Sequence, residues 1–71
     1  MTKTMRSTKV NGHYIYLEYN FNGHPHIEVG ACPMYQDGTC GYPVNQATYS
    51  FKEEAKANQT FCRYVRKFRD Q

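Results

Sequence analysis

Two Asn-Gly dipeptides, Asn11-Gly12 and Asn22-Gly23, bracket the stretch HYIYLEYNF from His13 to Phe21. Both dipeptides favour the positive φ angles of tight hairpin turns, and the stretch between them alternates in character and is rich in β-formers. A chain so punctuated is committed to an antiparallel sheet grown outward from one central strand. Ile15, Leu17, Tyr19 and Phe21 form its expected core face, while Tyr14, Tyr16, Glu18 and Asn20 point the other way, because successive side chains alternate across a strand. A second strand is expected from His26 to Ala31 or Cys32, with Ile27, Val29 and Ala31 on one face and His26, Glu28 and Gly30 on the other.

Matching those faces fixes the register. A two-residue loop at Asn22-Gly23 would set Leu17 against Glu28 and Phe21 against His24, mixing apolar with polar faces. A three- or five-residue loop sets Tyr19 against Ile27, Leu17 against Val29 and Ile15 against Ala31, so the longer loop is expected, with Gly23 at positive φ and Pro25 near the strand edge. Tyr14, Tyr16, His26 and Glu28 then share the outer face. Residues 1-10 are read as an edge strand from Thr4 to Val10 or as a flexible arm, residues 33-46 as a long loop, and Ala47 to Tyr49 as a short fourth strand.

Ser50 and Glu53 have capping-box spacing, and the chain from Lys52 to Phe68 lacks proline and glycine, so a helix is expected over 51-69. The helical projection groups Phe51, Ala55, Asn58, Phe61, Cys62, Val65 and Phe68 on one face, with Cys62 pointing inward, and Lys52, Lys56, Arg63, Arg66 and Lys67 on the other. The expected fold is therefore α+β: one domain over 1-71, a small antiparallel sheet of three or four strands, and one C-terminal helix packed across it.

At 71 residues such a domain buries only about 60% of its unfolded surface, so a staple is expected from a metal, a disulfide or a partner chain. The composition, 39% hydrophobic and 15% aromatic with a mean hydropathy of -0.85, describes a folded globule with a wet surface. No apolar run approaches the roughly 20 residues of a membrane span, and MTKTMRSTKV lacks the apolar stretch of a signal peptide. The cytoplasm, where thiols stay reduced, is the expected compartment.

The segment GACPMYQDGTCGYPVN places proline after Cys32 and glycine after Cys40, as in the CPxxCG turns of zinc ribbons, but with seven residues between the cysteines. Three readings stand. Cys62 is a small buried hydrophobe and the other two are free thiols; or Cys32, Cys40 and Cys62 with His26, or His13 as the alternative fourth ligand, hold a structural Zn2+; or two of the three form a disulfide. In the zinc reading the loop is one jaw of a clamp and the helix the other, holding Tyr35 and Tyr42 in place for a partner.

No HExxH motif and no arguable Ser-His-Asp order is present, and Glu18 and Glu28 read as solvated carboxylates relieved by His26, so no enzyme is expected. Tyrosine and arginine anchor interfaces, which makes Tyr14, Tyr16, Tyr35, Tyr42, Arg63, Arg66 and Lys67 the candidate partner-binding residues. A protein or nucleoprotein partner is expected, with self-association as a homodimer a further route to a larger core. The alternative is a small basic module for single-stranded RNA or DNA, with Tyr14 and Tyr16 stacking on bases and Lys3, Arg6, Lys9 and the helix cations meeting phosphates. The net charge of +3 matches that of the last nine residues alone, where Arg63, Arg66, Lys67 and Arg69 face Asp70 and also complement the helix dipole.

In size, in the tyrosine-rich strand HYIYLEYNF, in the capped helix SFKEEAKANQTFCRYVRKF and in lacking an enzyme signature, the chain resembles the small, motif-poor proteins that phages and other mobile elements encode to block host machinery, the anti-CRISPR inhibitors among them. The similarity is one of style rather than of aligned residues. It implies stoichiometric binding, in the host cytosol, to a large nucleoprotein effector, by occupying a nucleic-acid channel or a mobile lobe. The positive charge departs from the acidic, DNA-mimicking members of that group.

Overall fold

A computed structural model describes all 71 residues, Met1–Gln71. Four strands, β1 (Thr2–Val10), β2 (His13–Asn20), β3 (His26–Pro33) and β4 (Asn45–Tyr49), form an antiparallel sheet in the order β1-β2-β3-β4, and one helix, α1 (Glu54–Arg69), packs on one face. A single 3-10 turn, Phe51–Glu53, leads into α1, and the Ser50 backbone N–H donates to Glu53 Oε1 at 3.2 Å, which anchors the helix start.

Both Asn-Gly signals operate, each in its own way. Asn11 and Gly12 have φ of 46° and 74°, the two positive angles of a two-residue hairpin turn, and Val10 pairs with His13 across it. Between β2 and β3 a five-residue connection, 21–25, contains Gly23 at φ 58°. It sets Tyr19 against Ile27, Leu17 against Val29 and Ile15 against Ala31, the register that the matching of apolar faces demands.

The core lies between the sheet and α1. Ile15, Leu17, Ile27, Val29 and Ala31 meet Ala57, Phe61, Tyr64 and Phe68, with Val10, Tyr19, Tyr49 and Val65 at the margin. Fully burying a side chain such as Ile15 or Leu17 is worth about 1.5–3 kcal/mol, so this one cluster supplies most of the driving force for folding. Thr60, the buried polar residue of the helix, meets the Tyr49 hydroxyl at 2.5 Å. At the far end of α1, Asn11 Nδ2 donates to the Phe68 and Arg69 carbonyls at 2.8 and 3.0 Å, so the first turn of the chain caps its last helix.

Four expectations need correction. Of the two readings of residues 1-10 the edge strand holds and the arm does not, and the strand starts at Thr2 rather than Thr4, with a bulge at Met5 between Thr4 and Arg6. The long connection expected at 33-46 is shorter, 34–44, because β3 continues through Pro33 and β4 starts at Asn45. Phe21, expected in the core, is 43% exposed and belongs to an edge cluster with Tyr19 and Phe51, whose ring centroids lie 5.2–6.3 Å apart. The helix is rotated by about one residue from the expected face: Ala57, Thr60, Phe61, Tyr64 and Phe68 point inward, which turns Cys62 and Ala55 to solvent. Tyr64 offers far more apolar area than Cys62, and burying it sets the rotation.

Candidate functional site

The helix covers one face of the sheet and leaves the other free, so strand alternation decides which residues occupy the open face. Tyr14, Tyr16 and Glu18 of β2 and His26, Glu28, Gly30 and Cys32 of β3 lie there, with Glu18 directly across from Glu28 and Tyr14 across from Cys32. The Tyr14 and Tyr16 rings stack with centroids 5.9 Å apart. Tyr16 leans over Gly30 and donates its hydroxyl to Glu28 Oε2 at 2.6 Å. Burial, then the bond to Glu28 and the neighbouring negative groups, raises the Tyr16 phenol well above its ordinary value, so it stays protonated as a donor.

Tyr16 thereby corrects one expectation: it is 8% exposed and is a packed part of the outer face rather than a free anchor. Tyr14 is half-buried beside it. Glu18 is shifted upward by burial and then by Glu28, with His26 pulling the other way. This arrangement can accept hydrogen bonds or a cation from a partner.

The cysteines are not gathered. Cys32 is buried on the outer face, where burial and then the nearby Cys40 thiol push its pKa up, and Cys40 is exposed on the 34–44 loop. Cys62 is exposed on α1, with the sheet between it and Cys32, so the expected inward orientation of Cys62 is overturned by the rotation of the helix. His13 stacks on Phe68 at 4.2 Å on the helix side, while His26 sits on the outer face with Nδ1 2.7 Å from the His24 carbonyl. No group of three or more His, Cys, Asp or Glu side chains converges with the geometry to hold a metal ion.

The 34–44 loop is tied at several points. Met34 bridges Cys40, the Tyr35 N–H donates to the Thr39 carbonyl at 2.9 Å, the Gly41 N–H to Pro33 at 2.8 Å and the Val44 N–H to Ala31 at 2.8 Å. Gly38, at φ 87°, makes the tip, and the Asp37 carboxylate accepts from the Thr39 hydroxyl and N–H, which lowers its pKa. Held in this way, the loop displays Tyr42 at 93% exposure, with Tyr35 and Val44 each at 57%. Tyr35 leans on Gly41, where any Cβ would collide with its hydroxyl.

Of the helix cations, Arg63 lies 6.0 Å from the Tyr64 ring, and Lys67 lies 5.6 Å from the Phe68 ring with its ammonium 3.5 Å from Asn45 Oδ1. Arg66 instead faces an open groove between α1 and β1. The seven expected partner-binding residues thus fall on separate surfaces: Tyr14 and Tyr16 on the open sheet face, Tyr35 and Tyr42 on the loop, Arg63, Arg66 and Lys67 on the helix. Sequence reasoning missed the groove itself, because the bulge at Met5 and the packing of Arg6 against the helix leave no local pattern.

Comparison with protein-family models, with curated proteins and with solved structures finds no match for this chain.

Proposed function

We propose that this protein is a non-enzymatic binding protein that inhibits or modulates a macromolecular partner, a protein or nucleoprotein effector of the kind that phage-encoded inhibitors block. The observation that supports this reading is the ordered loop carrying Tyr42, Tyr35 and Val44. Apolar side chains on a backbone already fixed by hydrogen bonds lose little entropy on docking, and tyrosine supplies contact area together with a polar tip. Exposed aromatic side chains grouped on one loop of a small domain support that reading.

The test is affinity capture from bacterial lysate with the wild-type chain and with a Tyr35→Ala/Tyr42→Ala variant, each first verified as folded by circular dichroism. Proteins retained by the wild-type chain and lost with the variant support the reading. Equal recovery removes the loop as the binding surface. A concentration-dependent dimer of the wild-type chain that the variant abolishes would identify the partner as a second copy.

A further inference from the structure

Between the edge strand β1 and α1 the sheet runs out from under the helix and leaves an open groove of about 700 Å³. Three arginines line it, Arg6 from the strand and Arg66 and Arg69 from the helix, and no carboxylate does. Met5, Phe61 and Val65 give it an apolar floor. Arg6 is already positioned: its guanidinium lies 4.3 Å from the Phe61 ring centroid, and Nη1 donates to Asn58 Oδ1 at 2.8 Å, so its remaining N–H groups are presented with little entropy left to lose. Arg69 has only Asp70 beside it, Nε to Oδ1 at 3.5 Å between two side chains about two-thirds exposed, a pairing that an incoming anion can displace.

We propose that this groove binds single-stranded nucleic acid, with backbone phosphates on Arg6, Arg66 and Arg69 and a base over Met5 and Val65. Charge selects a polyanion, the planar guanidinium forks suit phosphate, and the apolar floor calls for the flat face of an unpaired base. A single strand offers unpaired base faces to the apolar side chains, whereas a duplex keeps its base faces stacked inside. The site is distinct from the Tyr35–Tyr42 loop and stands whether or not that loop binds a partner.

Fluorescence anisotropy with labelled oligothymidylate and oligouridylate of about ten nucleotides tests it. Three phosphate contacts predict an affinity that falls about 20-fold between about 50 and about 200 mM salt. Arg66→Gln/Arg69→Gln weakens binding about tenfold and flattens that salt dependence, while Lys56→Gln, whose ammonium pairs with Glu53 outside the groove, leaves both unchanged. The second readout is alkylation of Cys62, which lies in the groove wall: bound oligonucleotide slows it and leaves that of Cys40 unaltered. No binding, equal binding by the groove variant, or unprotected Cys62 overturns the proposal. Tighter, groove-dependent binding of a polyglutamate peptide than of either oligonucleotide also overturns it and makes the occupant an acidic polypeptide.

Discussion

The Tyr16 hydroxyl and ring edge occupy the space where Gly30 would carry a Cβ, directly across the β2–β3 pair. Gly30→Ala is therefore expected to cost about 1–3 kcal/mol in urea unfolding, as overpacking does, although alanine is ordinarily better tolerated in a strand than glycine. In a Tyr16→Ala background the same substitution becomes neutral or stabilising. A cycle with no coupling between the two positions would show that the ring yields freely.

Glu18 supplies a pH dependence with a definite sign. Its carboxyl is harder to ionise in the folded chain, first through burial and then through Glu28, so its folded pKa lies above the ordinary 4.5. Such a group contributes stability that is full below 4.5 and is lost as the pH rises through the folded value. Glu18→Gln is expected to raise stability at neutral pH by about 0.5 kcal/mol after allowance for solvent screening, or about 2–4 °C in Tm. The gain should vanish in acid. A variant with a constant advantage across the pH range would place the cause outside the carboxylate pair.

Two neighbours on α1 separate the observed helix face from the one read in the sequence. Phe61 is 4% exposed in the core, and Phe61→Ala should cost about 3–4 kcal/mol, much of the stability of a domain this small. Cys62 faces solvent, and Cys62→Ser should change stability by no more than about 0.5 kcal/mol in thermal or urea unfolding. Large destabilisation by Cys62→Ser would instead restore the cysteine clamp.

Asn11 carries two duties that substitution can divide. Asn11→Gly keeps the positive φ of the turn and loses only the bonds to Phe68 and Arg69, for about 1 kcal/mol. Asn11→Ala also forfeits ease in the left-handed region and should cost about 2 kcal/mol. Chemical denaturation ranks the pair, and equal losses would mean that the backbone angle contributes nothing.

The sheet was legible in the sequence because each of its determinants is local: turn dipeptides at Asn11 and Asn22, and two alternating strands whose apolar faces can match in only one register. The helix limits were legible for the same reason, from Ser50 and Glu53. Its rotation was not. Phe61, Val65 and Phe68 fit either of two neighbouring faces, and the choice between Cys62 and Tyr64 rests on which of them the sheet can accommodate. The outer face misled in a similar way, since Tyr16 alternates outward as expected but is covered through the missing side chain of Gly30, a cross-strand effect with no signature along the chain. A loop over 33-46 is legible in the sequence, whereas the hydrogen bonds that hold Tyr35 and Tyr42 out to solvent depend on β1–β2 and β3 already being in place.

The strand order β1-β2-β3-β4 follows the chain, and every strand pairs with the one made just before it. Each pairing joins segments that follow one another along the chain, so none waits for a distant segment. The helix comes last. Until Glu54–Arg69 docks, Ile15, Leu17, Ile27 and Val29 line a face with nothing over it, so a sheet that has paired first stays adhesive until α1 closes over it.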